Sequence, residues 1–222
     1  MSNTISKNIV CPKCNFRVET KIYQGINVTA EPKLRESVLT EKLFKWKCPA
    51  CRYEAVLKHP LLYNDVKNKF MVYLIPNVVS EQLVDTKLEE EFPETATVTK
   101  RLVSSYNSLK EKIMIFEEGL DDMAVELAKL AVSSVVAKKM GKEVTDGYFS
   151  MLDKEKNMIG FTFFLGEKHD VHCQSTRMEI YKKSQEIAET VMKDKPHTGG
   201  FIMVDKRWAE DALLTYKKSI NG

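Results

Sequence analysis

Four of the five cysteines occur in two copies of one short motif. The chain reads Cys-Pro-Lys-Cys at residues 11–14 and Cys-Pro-Ala-Cys at residues 48–51. Two residues between the cysteines let both sulfurs of a tight turn face one centre, and the proline restricts the backbone in a way that suits such a turn. Each motif supplies half of a tetrahedral site, so two motifs together complete it. The sequence therefore predicts four metal ligands: Cys11, Cys14, Cys48 and Cys51.

The predicted occupant of this site is a structural Zn²⁺ ion. Four thiolates fill the tetrahedral shell of zinc, whereas a catalytic zinc usually has three protein ligands and a water molecule. Iron is a less favoured occupant, because tetrahedral sulfur sites suit both metals. Two other interpretations of the cysteines stay open, namely ordinary buried thiols and a redox dithiol.

A second group of possible metal ligands lies in the segment "EKHDVHC". His169, His172 and Cys173 are close together in sequence, and imidazole and thiolate groups both bind zinc. No fourth partner is evident, so the favoured interpretation is a solvated turn with a half-buried Cys173. A second metal site in this segment is the alternative to this interpretation.

The segment "HPLLYND" contains groups that could serve in acid–base catalysis. His59, Tyr63 and Asp65 have the required chemistry. The favoured interpretation is a structural loop, in which Tyr63 packs and Asp65 caps a turn. The sequence predicts no catalytic residue, and no residue that binds an organic cofactor.

The elements around the cysteines predict a small β-rich module. Alternating segments predict strands on both sides of the two motifs, in "FRVETKIY", "LFKWKC" and "YEAVLKH". A helix is predicted within residues 32–43, because Pro32 suits a first helical position and apolar residues follow at helical spacing. This helix accounts for the 33 residues between Cys14 and Cys48, where a zinc ribbon usually has about 15–20.

The rest of the chain predicts helices and a β-hairpin. Capping boxes are predicted at Ser108 with Glu111 and at Thr176 with Glu179. The segments "DGYFSMLD" and "MIGFTFFL" predict a hairpin, and Asp205 is a candidate cap for the last helix. The predicted fold is α+β, a zinc-ribbon-like N-terminal module with a helical insertion between its knuckles, followed by a mixed helix and β-hairpin portion.

The predicted domains follow changes in composition along the chain. They are a zinc-ribbon-like module at 1–76, an acidic linker or loop at 77–99, a helical segment at 100–141 and an α+β portion at 142–222.

Composition and charge narrow the possible functions. The 222 residues are 43% hydrophobic and 29% charged, which fits a globular protein. No apolar run approaches the roughly 20 residues of a membrane helix, and the N-terminus lacks the pattern of a signal peptide, so we expect a cytoplasmic protein with no membrane partner. Residues 1–60 hold 11 Lys and Arg against 5 acidic residues. A mildly basic module permits nucleic-acid binding without arguing for it strongly.

Several phrases of the sequence resemble one known family. The paired "CPKC" and "CPAC", then "HPLLYND" and "KFMVYLIP", and then "RLVSSYNSLKEKIMIFEEGLDD" are similar, in this order, to the CpXC family of bacteria and archaea. The resemblance covers roughly residues 8–130. It implies a shared domain and a metal site, but no substrate and no reaction, because the family is functionally uncharacterised.

The sequence favours a non-enzymatic, zinc-stabilised interaction or regulatory protein that binds a protein partner. The first alternative is a nucleic-acid-binding zinc ribbon that uses basic residues near the motifs. The basic residues are Lys13, Arg17, Lys45, Lys47 and Arg52. The second alternative is an enzyme with a site near His59 and Asp65.

Overall fold

The computed structural model describes residues 2–78, 82–83, 93–193 and 199–221. These residues form both helices and sheets, which confirms the predicted α+β class. No helix in this described part of the chain is long and apolar enough to cross a membrane.

The strands and helices are numbered here in chain order. The strands are β1 (Asn3–Val10), β2 (Arg17–Asn27), β3 (Lys45–Lys47), β4 (Glu54–Val56), β5 (Leu61–Asp65), β6 (Phe70–Leu74), β7 (Gln82–Leu83), β8 (Thr99–Val103), β9 (Val144–Asp153), β10 (Met158–Leu165), β11 (Asp170–Arg177) and β12 (Phe201–Ile202). The α-helices are α1 (Lys33–Leu39), α2 (Tyr106–Glu117), α3 (Asp122–Met140), α4 (Glu179–Met192) and α5 (Lys206–Asn221).

The chain divides into two compact units, each made of two segments. Unit 1 comprises Met1–Lys110 and Gly199–Ile202, and unit 2 comprises Glu111–Thr198 and Met203–Gly222. The boundaries predicted from the sequence at residues 76, 99 and 141 stay a prediction. Most of the predicted linker at 77–99 lies outside the described residues.

Unit 1 is built on a mixed sheet. Seven of its described strands pair in the order β1-β2-β5-β6-β8-β12-β7. The long β1–β2 hairpin is antiparallel, and Gly25 near the end of β2 pairs in parallel with Leu62 of β5. Strands β6 and β8 are also parallel. The alternation of buried and partly buried residues in β5 is typical of a strand with one face against a core.

A second, two-stranded sheet in unit 1 is formed by β3 and β4. The strands are antiparallel, and Lys47 pairs with Glu54 at the end next to the second cysteine motif. In the same way, Val10 pairs with Arg17 at the end of β1–β2 next to the first motif. Between the two hairpins, α1 and a 3₁₀ turn at Lys42–Phe44 form the predicted helical insertion, which confirms that prediction.

Unit 2 packs helices on a three-stranded antiparallel sheet with the order β11-β10-β9. The "KEKN" turn at residues 154–157 joins β9 and β10, as the sequence predicted. The odd-numbered residues of β10 from 159 to 165 are buried and belong to the same apolar core as the inner face of α3. This core includes Ile115, Ala124, Val125, Ala128, Val132, Val136, Phe149, Ile159, Phe161, Phe163, Leu165 and Tyr181.

Helix termini show which caps the sequence located correctly. Asp121 begins α3 by accepting the N–H of Met123, and Asp205 accepts the N–H of Trp208 at the start of α5, as predicted. Gly141 ends α3 in the left-handed conformation with φ of 61°. A glycine suits this position because it lacks the Cβ that makes positive φ unfavourable.

Both predicted capping boxes are wrong. At α2 the cap is Ser105, whose hydroxyl accepts the N–H of Ser108, and Glu111 is buried instead of turning back to the helix start. At α4 the residue before the helix is Met178, which makes no side-chain cap, while Thr176 lies within strand β11. Each prediction failed because the element begins a few residues away from the matching motif.

Candidate metal centre

The first cysteine motif is a tight turn held by two backbone hydrogen bonds. The N–H of Asn15 donates to the carbonyl of Cys11 at 2.9 Å, and the N–H of Cys11 donates to the carbonyl of Phe16, also at 2.9 Å. Asn15 has a φ of 56°, in the left-handed region that Asn tolerates better than most residues. This turn, called here the first knuckle (residues 11–16), joins β1 to β2.

The second cysteine motif repeats this backbone 37 residues later. The N–H of Arg52 donates to the carbonyl of Cys48 at 2.9 Å, and the N–H of Cys48 donates to the carbonyl of Tyr53 at 2.8 Å. Arg52 has a φ of 60°, so it occupies the same left-handed position as Asn15. The second knuckle (residues 48–53) therefore has the hydrogen bonds and the turn geometry of the first.

The two knuckles bring four sulfurs to one point. The Sγ atoms of Cys11, Cys14, Cys48 and Cys51 all lie within 4.8 Å of one another. Across the knuckles, the Cys11 and Cys51 sulfurs are 3.6 Å apart and the Cys14 and Cys48 sulfurs are 3.7 Å apart. Four sulfurs about 2.3 Å from a central ion form a tetrahedron with edges of about 3.8 Å. These four cysteines can thus hold a metal ion.

The first cysteine of each knuckle is buried, and the second is more accessible. Cys11 and Cys48 are fully buried, Cys51 is half-buried and Cys14 is exposed. The cluster thus has one side packed on protein and one side near solvent. A cation could reach it through the exposed side without unfolding of the hairpins.

The thiols also influence one another's protonation. Burial acts to raise the pKa of Cys11, but the N–H groups of Cys14 and Lys13 and the neighbouring thiols lower this pKa to about 7. The N–H of Phe16 acts to lower the pKa of Cys14, but burial and the other three thiols raise it to about 12. The cluster thus releases one proton readily and resists losing the next, because thiolates repel each other. A bound cation removes this obstacle.

A small apolar cluster supports the knuckles from behind. Its buried members are Cys11, Trp46 and Cys48, with Ile9, Val18, Cys51, Ala55 and Leu57 packed against them. The indole N–H of Trp46 also donates to the hydroxyl of Thr20 in β2 at 3.2 Å. Trp46 therefore connects the two hairpins next to the sulfurs.

The support follows the same 37-residue repeat as the knuckles. Ile9 corresponds to Trp46 and Val18 corresponds to Ala55, and all four belong to the same cluster. No role for Trp46 was predicted from the sequence. An alignment of the two motifs would have placed it opposite Ile9, which is the signal that was available.

Comparison with known proteins agrees with the geometry. A family model described as "CpXC protein" matches residues 9–129, which is more than half of the chain and includes both knuckles. The chain belongs to the CpXC family. No curated protein and no solved structure matches this CpXC protein. The match confirms the resemblance seen in the sequence and adds no substrate or partner.

The candidate second metal site of this CpXC protein has a different structure from the predicted turn. His169 lies in a turn with a φ of 51°, but His172 and Cys173 are consecutive residues of strand β11. Consecutive strand residues point to opposite faces, so these two side chains diverge. Cys173 is exposed rather than half-buried. Among the described residues, the four knuckle cysteines form the cluster suited to a metal, and this histidine segment does not.

The segment "HPLLYND" is a strand rather than a loop. Tyr63 and Asp65 belong to β5 and are buried, and Tyr63 stacks on Phe70 with ring centroids 5.8 Å apart. Asp65 accepts the backbone N–H of Asn68 at 3.1 Å and its side-chain amide at 2.7 Å. Asp65 therefore caps the turn between β5 and β6, as predicted.

His59 is buried next to this strand. It is 5% exposed, its ring centroid lies 5.7 Å from that of Phe44, and its Nδ1 is 3.0 Å from the carbonyl of Pro60. The three residues of the proposed enzyme alternative thus all serve packing or turn contacts.

Unit 2 contains a buried ionic group that the sequence analysis missed. Lys129 of α3 donates to Glu111 of α2 and to Glu126, each at 2.9 Å. The same Glu111 oxygen accepts the backbone N–H of Phe149 at 2.6 Å. Burial raises the pKa of Glu126 despite the nearby Lys129. The two carboxylates raise the pKa of Lys129 against the effect of its own burial.

A second buried ion pair lies beside it. Lys112 donates to Asp122 at 2.6 Å, and both side chains are almost completely buried. It connects α2 to the first turn of α3. The only sequence signal for these contacts was the presence of charged residues at inward-facing helical positions.

Proposed function

We propose that this CpXC protein is a non-enzymatic interaction or regulatory protein with a structural zinc ion bound by Cys11, Cys14, Cys48 and Cys51. The sulfur spacing carries the proposal, because distances of 3.6 and 3.7 Å across the knuckles are close to the edge length of a zinc tetrathiolate. Zinc is favoured over iron because the predicted role needs no redox chemistry.

The zinc would be structural because four thiolates leave no open coordination position. The knuckles sit at the ends of two hairpins, and the cluster around Trp46 packs next to the sulfurs. Metal binding would therefore contribute directly to the folding free energy of this zinc-ribbon-like module. The activity of the protein, in this proposal, resides on surfaces that the zinc site holds in place.

Elemental analysis of natively purified protein tests the proposal. We expect one zinc per chain, which is lost in Cys48→Ser because a fully buried ligand is removed. Cys173→Ser is the matched control, since it removes an exposed thiol on β11, and we expect it to keep the full zinc content. Native protein that contains neither zinc nor iron would contradict the proposal.

The enzyme alternative receives little support from the residues that suggested it. A general acid or base must reach the substrate. His59 and Asp65 are each 5% exposed, and Asp65 is occupied by hydrogen bonds from Thr29 and Asn68. We do not propose a catalytic role for either residue.

The nucleic-acid alternative keeps one supporting feature. The five basic residues that suggested it are all exposed, and they lie on or beside the two knuckles. They are Lys13, Arg17, Lys45, Lys47 and Arg52.

A further inference from the structure

The exposed aromatic side chains of the protein have an unusual distribution. Among the described Phe, Tyr and Trp residues, only Phe16 and Tyr53 are exposed, by 45% and 38% respectively. All the others are buried or half-buried. Each exposed ring lacks the stabilisation that burial would supply. The positions of the two rings therefore indicate where a binding partner would cover the surface.

The two exposed rings occupy equivalent positions. Each is the fifth residue after the first cysteine of its knuckle, and each uses its carbonyl to accept the N–H of that cysteine. The backbones of Phe16 and Tyr53 are thus each fixed to the first cysteine of a knuckle. Two apolar residues nearby, Val10 and Val56, are also exposed, by 48% and 45%.

Positive charge surrounds these rings. The knuckle surface, defined as residues 10–17 and 45–56, contains five Lys and Arg and a single acid, Glu54. Lys47 forms an exposed ion pair with Glu54 at 2.8 Å. Within the described structure, neither Arg17 nor Arg52 forms an ion pair, and each is the chain neighbour of an exposed ring. The five positive charges exceed the negative charge of this surface, which is −2 from a zinc tetrathiolate and −1 from Glu54.

The knuckle surface also contains a groove. A cavity of about 390 Å³ lies along the β3–β4 hairpin and is lined by Lys45, Trp46, Lys47, Glu54, Ala55 and Val56. Register places Lys45 beside Val56 and Lys47 beside Glu54 on the exposed face of this hairpin. The lining of the groove thus includes two lysines, one carboxylate and three apolar residues.

We propose that the knuckle surface binds single-stranded nucleic acid. Proteins that bind single strands without strong sequence preference combine a basic groove, which follows the phosphates, with aromatic rings on which bases stack. Here Lys45 and Lys47 provide the groove, and Phe16 and Tyr53 provide the rings. Arg17 and Arg52 lie where they can pair with phosphates beside each stacked base. This inference rests on the proposed function, because the zinc site holds the two rings in place.

A binding titration with zinc-loaded protein tests the proposal. The probe is a fluorescein-labelled oligothymidine of about 15 nucleotides, close to the upper site size of a single-strand-binding module. Fluorescence anisotropy is measured at about 50 mM and about 200 mM salt, and we expect affinity to fall with salt. A labelled oligoglutamate peptide of equal charge represents an acidic protein partner.

Substitutions then assign the surface. We expect Phe16→Ala with Tyr53→Ala to weaken oligothymidine binding tenfold or more, since stacking on one ring contributes about 1–3 kcal/mol, and 1.4 kcal/mol is tenfold. The matched control is Val171→Ala, which truncates a side chain that is 64% exposed in β11 of unit 2. We expect no change in affinity for this control.

Charge substitutions provide an independent measurement. The slope of log K, the binding constant, against log salt is negative, and each phosphate contact on a single strand contributes about 0.7 to its magnitude. Arg17→Gln with Arg52→Gln should therefore reduce that magnitude by about 1.4. Lys217→Gln with Lys218→Gln, in the exposed last turns of α5, is the control for removal of two charges and should leave the slope unchanged.

The outcomes separate this inference from the zinc proposal. Absence of oligothymidine binding at the lower salt concentration overturns the inference, and so does an affinity that the two aromatic substitutions leave unchanged. Equal or tighter binding of the oligoglutamate would assign the surface to an acidic protein instead. Metal content is measured in the natively purified wild type and in each variant, so full zinc without nucleic-acid binding rejects the inference alone, whereas wild-type protein with neither zinc nor iron rejects the proposed function.

Discussion

One buried lysine of unit 2, Lys129, offers a quantitative prediction from electrostatics. Lys129 is 8% exposed and donates to both Glu111 and Glu126, and its Nζ lies 5.9 Å from the centre of the Tyr148 ring. Lys129→Met keeps the length of the side chain and removes its charge. The substitution removes the cation that forms ion pairs with both buried carboxylates.

The loss of stability in Lys129→Met follows from the two ways in which the protein can respond to the missing charge. Removal of one partner from a buried ion pair typically destabilises by about 3–5 kcal/mol. Alternatively a carboxyl takes up a proton, which at pH 7 costs about 3.7 kcal/mol for a group with an ordinary pKa near 4.3, since each pH unit costs about 1.36 kcal/mol. We therefore expect Lys129→Met to lower the free energy of unfolding by about 3–5 kcal/mol at pH 7. At pH 5 the cost of protonation falls to about 1 kcal/mol, so the loss should shrink.

Urea denaturation at pH 5, 6 and 7 measures this dependence. Trp46→Phe is introduced into both the wild-type protein and the Lys129→Met variant. The half-buried Trp208 of unit 2 is then the fluorescent reporter. Lys142→Met is the control, because Lys142 forms an ion pair with Asp170 in which both side chains are 50% exposed. Such a pair contributes at most about 1 kcal/mol. A loss for Lys129→Met that does not change with pH would show that packing, rather than uncompensated charge, is responsible, and would refute the reasoning.

Three further predictions concern single residues of the two units. Burial raises the pKa of Glu126, so the folded protein binds this proton more strongly than the unfolded chain does. The free energy of unfolding of the wild type should therefore fall as pH rises from about 4.5. Glu126→Gln should remove this fall in parallel urea titrations. Gly147→Ala should destabilise by about 1–3 kcal/mol in thermal unfolding, because its Cβ would lie 2.7 Å from the buried ring of Phe163, whereas a loss below 0.5 kcal/mol would show that the ring moves aside. Asp65→Ala should cost about 1–3 kcal/mol by the same measurement, since Asn68 loses its acceptors, and an unchanged midpoint would contradict the role of Asp65 as a cap.

The four-cysteine cluster could be predicted from sequence because its geometry is local. Each knuckle is set by a few consecutive residues, and the spacing from Cys11 to Cys14 already determines how two sulfurs converge. The left-handed conformations of Asn15 and Arg52 follow from the same short turn. Only the meeting of the two halves depends on the rest of unit 1.

Features that depend on distant segments could not be predicted in this way. Glu111 was interpreted as a capping residue from its distance to Ser108, but in the structure Lys129 and the N–H of Phe149 surround it, from a helix and a strand much later in the chain. Strands β5 and β8 were missed because each has only five residues, too few for a clear periodic pattern in the sequence. The exposure of Phe16 and Tyr53 was likewise hidden, since a sequence does not state which aromatic residues remain in water.

The position of the first strand gives a metal bound at the knuckles a further consequence. Strand β1 lies at the edge of the seven-stranded sheet and pairs with β2 along its whole length. At one end, the hydroxyl of Ser2 accepts the N–H of Asn27, and at the other end the knuckle closes the hairpin. Loss of the metal would release the knuckle end, and separation of β1 would expose the unpaired N–H and C=O groups of β2. Such an edge is a template for strands of other chains. A metal ion at the knuckles would therefore also help to keep β1 in place over the edge of β2.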